Sequence, residues 1–308
     1  MIDVGYVGAV SRHLLWARNL NAIPFGTTFK ASSIDPTNNR PLPQSFLSPY
    51  QGYNNINMIE PAATSNYNSL QVSANRRYAK SFQYGAAWTW SKTMDFNDAD
   101  NNVVSTFIPV RVWNYGLASF DRTHTVKINW LYDVPKAPFR NRVIRTVLNE
   151  WQVSGIASFI SGQPLGVTVA TTPAVDFTGS PTDAGVRAVM TGNPVLPKGD
   201  RTFNRYFDTS VFLMPAIGTV GNAARTVLRG PGTNDWDTAI YKQFPIRDRF
   251  RLQFRWELYN IFNHTQFTSV DTTARYNPTT GAQINPTFGQ LTAAASPRIM
   301  QFALRFYF

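Results

Sequence analysis

The sequence predicts an all-β protein, an antiparallel transmembrane β-barrel, from three observations. Large apolar residues alternate with smaller or polar ones as far as the last residue, Phe308. Aromatic residues make up 14% of the 308 residues and charged residues only 15%, against roughly 25% charged residues in soluble domains. No apolar run approaches the ~18 residues of a membrane-spanning helix. Strands with one apolar and one polar face are what a barrel in lipid requires.

Eight segments have the strongest strand pattern, and the alternation is clearest in 249–263. The segments are 2–12, 66–79, 82–93, 118–133, 147–161, 235–245, 249–263 and 298–308. The side chains predicted to face lipid are Phe250, Leu252, Phe254, Trp256 and Leu258. Those predicted to face a polar lumen are Arg251, Gln253, Arg255 and Glu257. The pattern in 235–245 is weaker, because neither face is uniformly apolar.

The connections between these segments alternate in length. The long ones are 13–65, 94–117, 162–234 and 264–297, and the shorter ones are 80–81, 134–146 and 246–248. An up-and-down barrel with long external loops and short periplasmic turns produces this order. The long connections are rich in Pro, Gly, Asn and Thr, so we expect them to lie at the surface and to bury little.

Aromatic residues cluster where strands should cross the two membrane interfaces. Trp88 and Trp90 form one pair, Trp130 and Tyr132 a second, and Phe306 and Phe308 end the chain. Ordinary core packing would account for one such cluster. The repetition favours aromatic belts at headgroup level.

The net charge of +11 raises the question of nucleic-acid binding. The basic residues are scattered, except for Lys136, Arg140, Arg142 and Arg145, and they form no basic stripe. We therefore expect no nucleic-acid partner, and expect arginines in a polar lumen, in loops and at rims facing anionic lipid. The absence of cysteine excludes disulfides, thiolate metal sites and cysteine nucleophiles.

The sequence also predicts no catalytic residue, cofactor or metal site. His13, His124 and His264 lie far apart in sequence, and no G-x-S-x-G motif identifies a nucleophilic serine. Calcium in the 94–102 loop is an alternative, because oxygen ligands recur there at Asp95, Asn97, Asp98, Asp100 and Asn102. Val103 replaces the EF-hand glycine and no glutamate follows, so a solvated loop is favoured.

Several motifs in a fixed order give the chain a resemblance to a known family. They are Phe120-Asp121-Arg122-Thr123-His124, Asp133-Val134-Pro135, Trp151-Gln152-Val153-Ser154-Gly155-Ile156, Ser161-Gly162-Gln163-Pro164, the segment 221–232, Trp236-Asp237, Arg251-Leu252-Gln253-Phe254-Arg255, Asn260-Ile261-Phe262-Asn263-His264, Phe288-Gly289-Gln290 and Pro297-Arg298. Together with the terminal aromatic strand, this order resembles the C-terminal barrel of TonB-dependent receptors of the Oar-like group. The resemblance covers nearly the whole chain.

The resemblance implies a barrel of about 22 strands with a plugged lumen. It also implies an N-terminal plug and a segment that contacts TonB. The sequence shows no signal peptide and no plug. We therefore expect residues 1–308 to be a partial barrel, the C-terminal part with about eight strands. The terminal residues Phe302, Leu304, Phe306 and Phe308 look like the signal read by the barrel-assembly machinery.

The function implied by the resemblance is uptake of an unidentified solute across the bacterial cell outer membrane. The implied partners are membrane lipids and lipopolysaccharide, the barrel-assembly machinery, TonB and the solute. We expect loops 13–65 and 162–234 to recognise the solute. One alternative is a surface-binding or structural barrel without energised transport. Another is a complete small barrel with enzyme or pore activity.

Overall fold

The computed structural model describes residues 1–79, 81–138, 140–183, 185–247 and 250–308. Eight long strands form one antiparallel sheet in which each strand pairs with its neighbours in sequence. They are β1 (Ile2–Asn19), β2 (Asn57–Ala79), β3 (Phe82–Asp95), β4 (His124–Asp133), β5 (Trp151–Ile160), β6 (Thr233–Arg247), β7 (Phe250–Tyr259) and β8 (Ile299–Tyr307). All long connections therefore leave one end of the sheet, the loop end, and the short ones leave the opposite turn end.

Each of the eight predicted segments overlaps one of these strands, but the predicted bounds of the first loop, 13–65, are wrong. The strand β1 continues to Asn19 and β2 begins at Asn57, so the loop is 20–56. His13 has a φ of 57°, and the pairing of β1 with β2 shifts between Ser11 and Leu15. A bulge of this kind changes the phase of the side-chain alternation, so the pattern in the sequence breaks although the strand continues.

Three other loop bounds differ from the prediction in the same limited way. The connections observed at the loop end are 96–123, 161–232 and 260–298 rather than 94–117, 162–234 and 264–297. The predicted strand 118–133 begins only at His124. The predicted strand 147–161 begins at Trp151, because a helix at Arg142–Leu148 takes its first residues. The Asn141 side chain caps this helix by accepting hydrogen bonds from the N–H groups of Val143 and Ile144.

The register of the sheet places apolar residues opposite apolar residues from strand to strand. In β7 and β8, Leu252 lies opposite Phe306 and Phe254 lies opposite Leu304. This apolar face continues across the sheet, and representative members are Val4, Val72, Trp88, Ile128, Val153, Ile240, Phe254 and Leu304. The opposite polar face has Asp3, Ser73, Ala87, Lys127, Ser158, Tyr241, Arg255 and Ala303.

Aromatic contacts on the apolar face occur near both ends of the strands and also between them. Near the loop end, the Trp236 ring lies 5.6 Å from Phe159 and 5.7 Å from Phe262 between ring centroids. Near the turn end, Phe82 contacts Tyr132 at 6.1 Å, and Phe306 stacks on Phe250 and Phe308. The contacts near the two ends are compatible with interfacial belts, which stay a prediction.

Two positions explain how the apolar face tolerates residues that break its pattern. The Trp130 ring lies directly over Gly155, so a Cβ at this position would collide with the ring. Lys242 shares the face with Phe254 and Trp151 and is 1% exposed. Its ammonium donates to the Asn149 carbonyl and lies 5.4 Å from the Trp151 ring centroid. The lysine thus directs its charge toward the turn end, as a snorkelling side chain does.

The described sheet is open, because β1 and β8 lie toward its two ends and do not pair with each other. The short segment Val103–Val104 covers two residues of β1, and Gly116–Leu117 extends the sheet beside β3. The size of a closed barrel therefore stays a prediction.

The connections contain only short elements. The helices are Gln44–Leu47, Val110–Asn114 and Arg142–Leu148, and the 3-10 turns are Thr27–Phe29, Ala31–Ser33 and Lys198–Asp200. The paired short strands are Ile34–Asp35 with Arg40–Pro41, Pro164–Leu165 with Leu228–Arg229, Thr168–Thr171 with Thr273–Tyr276, Val189–Met190 with Phe212–Leu213, and Phe267–Val270 with Leu291–Ala294. Within the described ranges, no helix is both long enough and apolar enough to span a bilayer.

Adjacent alanines in β3 provide a test of the two faces. Ala86 lies opposite Ile128 on the apolar face, and Ala87 lies opposite Lys127 on the polar face. We expect Ala86→Arg to reduce the amount of folded protein in the membrane, since an arginine near the bilayer midplane costs about 2–4 kcal/mol on the lipid side. Ala87→Arg should leave that amount nearly unchanged. Equal yields of the two variants, measured by heat-modifiable gel mobility, would contradict the assignment of faces.

Candidate functional site

The four long loops pack against one another at the loop end and form what we call the loop cap, residues 20–56, 96–123, 161–232 and 260–298. The cap has its own hydrophobic core, built from 161–232 and 260–298: Val167, Ala188, Phe207, Phe212, Leu228, Ala274, Tyr276 and Phe288. The expectation that these loops bury little is therefore wrong. Their apolar residues are spaced without period in sequence, so only the folded chain brings them together.

A parallel strand pair joins the third and fourth loops of the cap. Thr168–Thr171 pairs with Thr273–Tyr276, and Phe207 contacts Phe288 with 5.3 Å between ring centroids. Tyr276 is 1% exposed and its hydroxyl has no hydrogen-bond partner among the described residues. Burial raises the pKa of the Tyr276 phenol to about 12, so this residue is neutral and serves packing.

The first loop is fixed to the third by a set of hydrogen bonds between residues that are far apart in sequence. The Thr182 hydroxyl accepts a 2.8 Å hydrogen bond from the Ile23 N–H, and the Ser180 hydroxyl donates to the Ile23 carbonyl. The Thr28 hydroxyl donates to Asp176 Oδ2 at 2.8 Å. The two loops predicted to recognise solute are therefore one packed unit.

The second loop is held to the third by Asp183 and Arg187. Asp183 accepts hydrogen bonds from the Ser105 hydroxyl and, at 2.8 Å, from the Thr106 N–H. The Arg187 guanidinium lies 3.9 Å from the Trp113 ring centroid and donates to the Trp113 carbonyl at 2.5 Å. Burial, with a smaller contribution from Arg225, lowers the pKa of Arg187 to about 10. The guanidinium therefore stays charged at neutral pH.

Arg225 connects the loop cap to the end of β3. Its Nη1 lies 2.6 Å from Asp95 Oδ1, its Nη2 lies 2.5 Å from Asp98 Oδ2, and Nη1 also donates to the Asn114 carbonyl. Asp95 is 3% exposed, so the picture of a solvated loop does not hold at this residue. The guanidinium occupies the space between two of the proposed calcium ligands. Within the described ranges, no group of three or more His, Cys, Asp or Glu is placed to hold a metal.

A second arginine of the same segment, Arg229, binds Asp121 just before β4. Arg229 Nη2 lies 2.5 Å from Asp121 Oδ2, and the Asp121 side chain is fully buried. The other oxygen of Asp121 accepts a 2.6 Å hydrogen bond from the Thr93 N–H. Gly162 lies so close to the Gly230 carbonyl that a Cβ would collide with it. Three of the sequence motifs, at 120–124, 161–164 and 221–232, therefore meet at one point.

Three further motifs, 236–237, 260–264 and 297–298, form a second meeting point around Asn260, whose φ is 51°. Its N–H donates to Asp237 Oδ1 at 3.0 Å, and its amide bonds both the N–H and the carbonyl of His264. Asn263 Oδ1 accepts from the Arg298 N–H at 3.0 Å. These contacts fix the ends of β6, β7 and β8 relative to one another.

The residues predicted to face the lumen are brought together on the polar face. Gln253 Oε1 accepts from Arg255 Nε at 2.9 Å and from the Tyr307 hydroxyl at 3.2 Å. The Arg255 guanidinium lies over the Tyr241 ring, and Nη1 is 3.9 Å from Glu257 Oε1. A shallow cavity of about 370 Å³ adjoins this ladder, and among its lining residues are Asn129, Ser154, Asp237 and Glu257. The polar face thus offers hydroxyl, amide and carboxylate groups.

The loop cap contains a further cavity of about 510 Å³, which is lined by residues from Val169 to Val186. Its polar lining comes from the hydroxyls of Thr171, Thr178 and Ser180 and from the carboxylates of Asp176 and Asp183. Asp176 and Asp183 are also the residues that bind the first and second loops. A ligand in this cavity would therefore contact the groups that join the loops.

The three histidines lie apart from one another, and each contacts different residues. His13 Nδ1 lies 3.2 Å from the Pro61 carbonyl, and the Trp88 indole donates to His124 Nδ1 at 3.3 Å. His264 contacts Asn260 and Gln266. The structure brings no two of them together.

The sequence alone does not single out four residues of this site: Asp183, Arg187, Arg225 and Arg229. Arg225 and Arg229 lie inside the motif 221–232 that supports the family resemblance, and Asp121 lies inside 120–124. Two arginines four residues apart in a loop rich in glycine were therefore a usable signal. Nothing in the sequence indicated which carboxylates they bind.

The chain belongs to the family described as outer membrane beta barrel domain, whose model matches residues 1–301. The protein is therefore located in the bacterial outer membrane. No curated protein matches the sequence.

Among solved structures, the chain is similar to the outer membrane transporter YddB from Escherichia coli. The two are 8% identical with a TM-score of 0.46. The similarity covers 100% of this chain and 30% of the transporter chain, so this chain spans less than a third of that protein's length.

The arginine contacts predict how the loop cap responds to mutation. Arg225→Ala leaves the buried Asp95 carboxylate without its partner, which costs about 3–5 kcal/mol. We expect amide hydrogen exchange in 96–123 to become at least ~100-fold faster, while exchange in β6 and β7 stays slow. The matched variant is Arg205→Ala, because the Arg205 side chain is 57% exposed and only 3.5 Å from Asp208. That pair contributes about 0–1 kcal/mol, and equal exchange in both variants would contradict this account.

Proposed function

We propose that this chain is part of the barrel of a TonB-dependent outer-membrane receptor of the Oar-like group, which takes up a solute that the sequence does not name. The observation that supports this proposal best is the open eight-stranded sheet with one continuous apolar face. Open sheet edges in lipid leave backbone groups unpaired, so further strands have to close the sheet. A barrel of about 22 strands would supply them and would have room for a plug.

The loop cap supports a receptor rather than a simple pore. Loops that only connect strands need no common core, whereas 161–232 and 260–298 share one. The first and second loops are bound to 161–232 through Asp176 and Asp183. We propose that solute binds to this preformed surface, and that the hydroxyls and carboxylates of the cap cavity favour a polyhydroxylated or cationic solute.

The orientation we propose places the loop cap outside the cell and the turn end in the periplasm. Lipopolysaccharide would then surround the loop end, and the terminal residues Phe302 to Phe308 would be read by the barrel-assembly machinery during insertion. TonB would act on a plug inside the closed barrel. The proposed activity makes and breaks no bond, so we assign no catalytic residue, cofactor or nucleic-acid partner.

A second candidate function is a surface-binding barrel without energised transport. The packed loop cap is compatible with it, because binding needs only the cap. The two functions differ in whether captured solute requires energy to leave the outer surface.

Depletion of solutes from the medium distinguishes these functions. Cells with the intact gene, cells lacking it, and cells lacking TonB are compared for the solutes that disappear from a defined mixture. We expect at least one solute to be depleted only by cells with both the gene and TonB. If cells without TonB deplete that solute equally, transport does not depend on TonB and the second function is favoured.

A further inference from the structure

An exposed apolar helix lies in the connection between β4 and β5, at the turn end. In Arg142–Leu148, Val143 is 70% exposed, Ile144 42%, Val147 54% and Leu148 47%. At 100° per residue these four side chains share one side of the helix, and Arg145 and Thr146 lie on the other. A helix of this pattern normally buries its apolar side against another surface.

The helix is anchored to the apolar face of the sheet at its C-terminal end. The Trp151 indole donates to the Val147 carbonyl at 2.8 Å, and Trp151 belongs to the apolar face. The Asn149 side chain bonds both the N–H and the carbonyl of Ala137, and the Asn149 carbonyl accepts from Lys242. The apolar side of the helix therefore adjoins the surface that faces the membrane core.

The charge at the turn end complements anionic headgroups. The three short connections with their flanks, 76–81, 133–150 and 245–251, contain ten basic and three acidic residues in sequence. Most of the net charge of +11 thus lies in these three segments. Arg140 and Arg145 are exposed beside the helix. Anionic lipid surfaces attract such groups, and lipid phosphates accept hydrogen bonds from them.

We propose that Arg142–Leu148 lies in the interface of the periplasmic leaflet and binds anionic phospholipid. Its apolar side chains enter the region between headgroups and acyl chains, and Arg140 and Arg145 bind lipid phosphates. The occupant of this surface is the bilayer itself, because the apolar side is continuous with the apolar sheet face and the flanking charge is positive. The inference rests on the barrel and on the orientation proposed above.

Residues 1–308 contain no cysteine, which allows a direct test with single labelled cysteines in this part of the protein. The variants Val147→Cys, Ala86→Cys and Thr279→Cys are made in the full-length protein with the closed barrel and labelled with an environment-sensitive fluorophore. They are then reconstituted into vesicles of phosphatidylethanolamine and phosphatidylglycerol. Thr279 is exposed in the loop cap and Ala86 lies on the apolar sheet face. We expect the label at 147 to be blue-shifted and shielded from aqueous iodide, as at 86, and the label at 279 to be quenched.

The three labels separate failure of this inference from failure of the proposed barrel. If 86 is shielded while 147 is quenched like 279, the helix does not lie in the membrane interface although the barrel does. If 86 is quenched as well, the apolar face does not meet lipid and both proposals fall.

Charge-removing variants test the lipid class. Arg140→Gln with Arg145→Gln should lower the preference for phosphatidylglycerol over phosphatidylethanolamine about fivefold per arginine, measured by native mass spectrometry of retained lipid. The matched double variant is Arg40→Gln with Arg275→Gln, two exposed arginines of the loop cap. Equal retention of phosphatidylglycerol by the two double variants would overturn the assignment of anionic lipid to the helix.

Discussion

The side-chain alternation of the strands, kept in register across the sheet, is the constraint on which the rest of this structure depends. Because successive residues point to opposite faces, a slip of one residue in any pair would bring that strand's polar set to the apolar side. Phe254 lies opposite Leu304 in β8 and opposite Lys242 in β6. The register is therefore the same on both sides of β7, although it places a lysine on the apolar face. A predominantly apolar face follows, and in lipid that face requires a sheet whose edges are paired.

The second organising element is the arginine-rich segment 221–232, which connects the loop cap to the strand ends. Arg225 binds Asp95 at the end of β3, and Arg229 binds Asp121 just before β4. Both carboxylates are almost fully buried, so they need these cations. A movement of the third loop would therefore shift the residues that these arginines bind, in the second loop and at the rim of the sheet. In the receptor that we propose, this arrangement would connect solute binding on the cap to the wall of the barrel.

The sequence predicted the parts of this fold that follow from periodicity, and missed those that depend on contacts between distant residues. The faces of β7 could be read from Phe250 to Leu258, because alternation is a local property of a strand. The end of β1 could not, since the bulge at His13 changes the phase of the pattern. The core around Phe207 and Phe288 could not be predicted either, because its residues come from two loops without any repeat. Arg225 and Arg229 were visible as part of a motif, while their partners became known only from the fold.

The central claim is that the apolar face meets lipid and the polar face meets water, with the loop cap above both. A scan of single spin labels along β7, from residue 251 to residue 258, in the membrane-embedded protein tests it most directly. We predict that collision with dissolved oxygen peaks at 252, 254, 256 and 258, and that collision with an aqueous nickel reagent peaks at the positions between them. Accessibilities that rise and fall together, or that alternate in the opposite sense, would contradict the account.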